Sequence, residues 1–191
     1  MKKRIVLNLI GGPGTGKSLY ASYIFALLKM KGLNAEYVQE YAKELVWSKK
    51  TELLKNQHHI SYYQYKMIKG ASKYVDIVVT DGSLIHSYYY NRHNKPNYSD
   101  ITLTEDAIDT YVDKFENINI YLKRNNKYSY QTEGRYQTFD EALEIDCILL
   151  DIMEEKKLKY KVIEADMDNV DEMIEYILKR VKKIKKKEKK K

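Results

Sequence analysis

The stretch "GGPGTGKS" (11–18) follows the apolar run "RIVLNLI" (4–10) and leads directly into "LYASYIFALLKM". A segment so poor in side chains contributes little to a core. It can instead curl tightly enough for its backbone N–H groups to converge on an anion. The spacing is G-x-x-x-x-G-K-S, the Walker A pattern, and it needs a buried strand before it and a helix after it. Gly11, Gly12, Gly14 and Gly16 leave the backbone free to turn. The following helix adds the positive end of its dipole, Lys17 reaches the β- and γ-phosphates, and Ser18 can hold Mg²⁺. The expected cradle is Gly11, Gly12, Pro13, Gly14, Thr15, Gly16, Lys17, Ser18 and Leu19, and the expected ligand is a nucleoside triphosphate, ATP with Mg²⁺.

Downstream, apolar runs of strand length alternate with helical patterns, as in successive βαβ units. Strands are expected at 4–10, 35–39, 75–81, 118–123 and 159–165. Helices are expected at about 17–31 (closed by Gly32), from 41 and through 51–73, and at 84–91. Further helices are expected at 104–115 with a Thr104 cap, at 139–157 and at 168–181. The fold class is therefore α/β: a three-layer P-loop NTPase sandwich around a five-stranded parallel sheet, with a short lid. Right-handed crossovers place the strand ends, and the ligand, along one edge.

Three features fall at that edge. Asp81 ends the β-branched run "VDIVVTD", where a P-loop protein needs an acid to orient Mg²⁺ directly or through water. Glu40 follows the second strand in "QEYAKE". From there it can accept the proton of an attacking hydroxyl, or it can serve as an acidic group at the start of a helix. The third is "RNNKYSYQTEGRYQ" (124–137), which carries Arg124, Lys127 and Arg135 with Gly134 as a hinge. Phosphoryl transfer spreads negative charge over the moving group, and such a segment can meet that charge and exclude water. Arg124 is expected to contact the nucleotide and Arg135 the transition state, whereas scattered bases on a plain loop are the alternative for Arg124 and Lys127.

The net charge of +7 needs to be located before it is interpreted. The last ten residues, "KKIKKKEKKK", hold eight Lys and one Glu, so the first 181 are electrically balanced. The expected organisation is one domain over 1–181 and a Lys-rich tail over 182–191. That tail could hold nucleic acid or form a solvated helix end. Cys147 is the only cysteine, which excludes an internal disulfide and suits a reducing, cytoplasmic compartment. It is expected in the core of its helix. No apolar run approaches the roughly 20 residues of a membrane span. The histidines lack a metal-ligand pattern, Gln64 is expected to face solvent, with the cleft as the alternative, and the many tyrosines are expected to pack half-buried.

"GGPGTGKS", "EYAKELVW", "VVTDGSL" and "LKRNNKYSYQTEGRYQT", in this order over about residues 4–180, resemble the kinase domain of NadR-type nicotinamide riboside kinases. They resemble even more the NadR-like AAA-type ATPases frequent in bacteriophage genomes. The resemblance implies the strand order 2-3-1-4-5, ATP and Mg²⁺ as ligands, and a closing lid. It also implies P-loop roles for Gly11 through Ser18, a post-strand Glu at Glu40, an acidic strand end at Asp81 and a lid Arg at Arg135. If the chain is phage-encoded, the compartment is the host cytoplasm. One departure stands out: Val-Thr-Asp ends the third strand here, where the NadR enzymes have Asp-Thr-Asp. The resulting expectation is a monomeric or homodimeric ATP-dependent kinase for a small nucleoside, nucleotide or ribosyl-metabolite acceptor. The alternatives are a kinase for a modified base in DNA, or an NTPase without a small acceptor.

Overall fold

In the computed structural model, which describes residues 4–125, 127, 130 and 137–188, β1 (Arg4–Ile10) is the middle strand of a five-stranded sheet. Ile5 to Ile10 are all buried, as a strand covered by helices on both faces requires. Its neighbours are β3 (Ile77–Thr80) and β4 (Phe115–Lys123), with β2 (Ala35–Val38) and β5 (Tyr160–Glu164) at the edges. The order is β2-β3-β1-β4-β5 and every pairing is parallel. The three-layer α/β sandwich and its strand order are thus as expected.

Alternation along β1 divides the core. Ile5, Leu7 and Leu9 pack beneath α1 (Lys17–Met30) and α7 (Val170–Glu188). Val6 and Ile10 face the layer of α3 (Gln57–Ala71), α4 (Leu84–His93), α5 (Ile101–Val112) and α6 (Phe139–Glu155). Asn8, between the last two, is buried but satisfied: its amide donates to Asn117 Oδ1 (3.0 Å) and Asn119 Oδ1 (2.9 Å). A slip of β1 against β4 would strand those groups, so the contact helps to fix the register. Asn8 pairs with Thr80 on one side and Asn119 on the other. The chain therefore leaves β1 and β3 at neighbouring points on one edge.

Local chemistry explains the departures from expectation. The helical stretch after β2 is broken: α2 (Tyr41–Trp47) stops, a 3₁₀ turn covers Thr51–Lys55, and Asn56 caps α3 through His59 N–H. α2 closes with Lys49 N–H on Val46 O and Lys50 N–H on Leu45 O, the paired bonds of a Schellman ending. Lys49 occupies the left-handed position at φ 57°. Lys157 does the same after α6, whereas α1 uses Gly32, as expected. α5 begins three residues early because Asp100, not Thr104, is its cap; Thr104 is buried inside the helix. Cys147 is exposed rather than in the core, since α6 buries Ala142, Ile145, Leu149, Ile152 and Met153, a stripe that passes it by.

The last helix does not stop at 181. α7 runs through Glu188, with Ile184 in the core and Lys185 paired to Asp76 (3.0 Å). None of the described helices is long and apolar enough to cross a membrane.

Candidate functional site

The loop between β1 and α1 turns through Gly14 (φ 80°) and Gly16 (φ 84°). These left-handed values strain any residue with a Cβ. Gly16 occupies the cap position of α1, no side chain among the described residues caps the helix, and no acidic residue lies in its first turn. The helix N-terminus is thus left open to an anion, which fits the phosphates of a nucleotide. Thr15 is buried and its hydroxyl donates to Gly12 O (3.0 Å). Lys17 Nζ donates to the same carbonyl at 2.9 Å. Burial pushes the pKa of the Lys17 ammonium down, opposed by the negative field of Glu40, Asp81 and Asp146. Leu19 lies exposed on the cleft wall.

Because β1 and β3 end side by side, Ser18 and Asp81 meet: Ser18 Oγ donates to Asp81 Oδ2 at 2.5 Å. Among the described residues, no three His, Cys, Asp or Glu side chains gather as a metal-binding group. One hydroxyl and one carboxylate still suit Mg²⁺, which takes few protein ligands and completes its shell with phosphate oxygens and water. Asp81 Oδ1 also accepts from Glu40 N–H (3.2 Å). Burial pushes the Tyr37 phenol pKa up, and the nearby Asp81 carboxylate raises it further.

Glu40 occupies the cap position of α2, but its side chain makes no capping bond. The helix does not use the carboxyl, which instead lines the cleft beside Lys17 and Gln64. Desolvation raises its pKa, while Lys17 pulls it down and Asp81 pushes it up. Its backbone is fixed from two sides. Gln64 accepts from Tyr41 N–H (2.7 Å) and donates to Gln39 O (3.2 Å), so it is a buried buttress rather than a solvent-facing residue. Gly82 packs so close that an added Cβ would lie 2.6 Å from Glu40 Cα.

Arg124 is no surface base: its side chain is 9% exposed. Nε donates to Asp146 Oδ2 (2.7 Å) and Nη2 to Pro13 O (2.7 Å). Asp146 Oδ1 in turn accepts from Gly12 N–H (2.7 Å). The pair ties the phosphate loop to α6 and the end of β4, and the guanidinium lies over the rings of Tyr130 and Phe139, 5.8 Å from each centroid. On the other side, Gly11 N–H donates to His86 Nε2 (3.3 Å). Burial and the Lys17 charge depress the His86 pKa to about 3, so its imidazole is neutral. Past the end of β4, Asn125 and Lys127 both bond Asp166, and Asn125, Ala165 and Met167 form that end of the cleft. Arg135 and Gly134 lie outside the described residues.

The structure thus brings together Gly11 through Leu19, Glu40, Asp81 and Arg124. Asp146 and His86 escaped the sequence reading, and for Gln64 the less favoured of its two readings holds, since each bonds backbone atoms that carry no sequence signature. A parallel sheet of this order, with a glycine-rich loop after its central strand and an acidic end on the adjacent one, defines a P-loop nucleotide-binding domain of NTPase type. The family model described as "AAA domain" matches residues 6–172, and the chain belongs to that family. No curated protein matches it.

Proposed function

We propose that the protein is an ATP-dependent phosphotransferase that moves the γ-phosphate of ATP to a hydroxyl or phosphate oxygen of a small acceptor, a nucleoside, nucleotide or ribosyl metabolite. The observation that carries this reading is Glu40: a carboxyl at a helix start, unused by the helix, in the wall of a cleft shared with Lys17 and the Ser18–Asp81 pair. In this reading the P-loop amides and Lys17 hold the polyphosphate, and Arg124 supports the loop from behind. Bound Mg²⁺ would supply charge neutralisation at Ser18 and Asp81. Glu40 takes the proton of the acceptor hydroxyl as that oxygen bonds the γ-phosphorus and the β–γ bridging oxygen departs with ADP. Arg135 is assigned the transition-state contact from its place in the sequence. The NadR-like resemblance supports the same chemistry.

The test is incubation with γ-labelled ATP and a panel of nucleosides, nucleotides, nicotinamide riboside and single-stranded DNA, following the label. Transfer to a small acceptor is expected; transfer to polymer only, or release of phosphate alone, contradicts the reading. Lys17→Ala should abolish transfer by removing the charge on the β- and γ-phosphates. Glu40→Gln should lower kcat by about 10²-fold or more with ATP affinity retained. An unchanged rate in Glu40→Gln would leave that residue as a helix-start group only.

A further inference from the structure

The cleft encloses about 1390 Å³, more than the roughly 300–1,000 Å³ of a pocket for one small ligand. Beyond Glu40 it continues between α2 and its exit, the 3₁₀ turn, and the facing sides of α3 and α4. Val46, Leu54, Ile60 and Tyr90 give that half an apolar, partly aromatic wall. Trp47 stands at its edge with 79% of its surface exposed, a large flat ring with no packing partner that accounts for it. Such a ring is a platform for a planar group.

Apart from Glu40, the charges there are positive. Among the described residues lining this half, Lys43 and Lys49 are the ionic groups besides Glu40, and neither lysine makes an ion pair there. Lys49 sits at φ 57°, where glycine would be less strained. That strain alone carries no message, as Lys157 shows. Lys49 differs in lying on the cleft wall, where replacement by glycine would relieve the backbone and lose the ammonium.

We propose that this half is the acceptor subsite, and that Trp47 with Lys43 and Lys49 selects a planar acceptor already carrying a phosphate-type anion, a nucleoside monophosphate whose phosphate stays with the lysines while a sugar hydroxyl meets Glu40, over neutral or cationic acceptors. The proposal rests on the phosphotransferase reading and narrows it: two exposed ammonium groups, of which Lys43 shares the field of Glu40 and neither makes a salt bridge among the described residues, disfavour a pyridinium ring and favour a monoester.

Trp47 is the only tryptophan in the chain, so its fluorescence reports on this half of the cleft directly. With the P-loop saturated by a non-hydrolysable ATP analogue and Mg²⁺, the common ribo- and deoxyribonucleosides, their 5′-monophosphates and nicotinamide riboside are titrated in turn. At least one monophosphate should bind about tenfold or more tightly than its own nucleoside and than nicotinamide riboside. That advantage should shrink with added salt. Lys43→Ala with Lys49→Gly should erase the advantage, while Lys49→Gly alone weakens monophosphate binding with Tm unchanged or raised. Equal binding of nucleosides and monophosphates, binding by no compound of the panel, or an advantage that survives the double variant overturns the proposal. Labelled transfer to a neutral nucleoside would overturn it yet leave the phosphotransferase reading intact. Tight monophosphate binding without transfer to any acceptor would do the reverse.

Discussion

His86 shows how a single buried side chain can set the response to pH. Its Nε2 accepts from Gly11 N–H, and its pKa lies near 3 in the folded protein against about 6.5 when the chain is unfolded. Between those values the unfolded state binds a proton that the folded state refuses, so stability falls as pH falls through this window. At pH 5 this group alone removes about 2 kcal/mol relative to pH 8. Urea unfolding of His86→Leu is expected to show lower stability at pH 7, from loss of the Gly11 contact, and a flatter profile from pH 7 to 4.5. A slope equal to that of the wild type would remove His86 from the account. At this scale the legible feature was placement: Lys17 and Ser18 after the glycine loop, and Asp81 and Glu40 just after strands, which the structure brings together. His86 and Asp146 were not legible, and Gln64 only as the less favoured of two readings, because they act on Gly11 N–H, Gly12 N–H and the Gln39–Tyr41 backbone across long stretches of sequence. Arg124 was half legible: its place beside the nucleotide loop was expected, its partner Asp146 was not.

Among the elements, the strands were the most readable, because the central ones, covered on both faces, are largely apolar and end in polar turns. Helix limits were less so. The Schellman ending at Lys49 looks in sequence like continuous helix, since its signal is normally a glycine. α7 misled for another reason: the lysines after Val181 hide Ile184, which keeps the apolar stripe going into the core. Deleting residues 182–191 is therefore expected to destabilise the domain by about 2 kcal/mol, mainly through loss of the buried Ile184 side chain. ATP affinity should change less than twofold, because this end of α7 is remote from the P-loop. Chemical denaturation and a nucleotide titration measure the two effects; unaltered stability would mean that the last turns add nothing to the core.

For the whole molecule, the sandwich followed from the alternation of strand and helix patterns together with the P-loop, and the strand order from family resemblance. The extent of the cleft did not. Its walls come from segments up to about 150 residues apart, from Pro13 to Met167, and no local pattern records how they face one another. α7 starts beside the P-loop edge, after β5, and ends where Lys185 meets Asp76, just before β3. Its 19 residues carry the chain about 28 Å, at 1.5 Å each. Its last lysines stand at the rim where the strands begin. A polyanion such as oligo-dT or heparin that adheres to them is expected to leave the ATP dissociation constant unaltered in a competition titration; displacement of ATP would put the two sites in one place. Anything the lysines grip would then act as a mooring, holding the domain in position while leaving the mouth of its nucleotide cleft free.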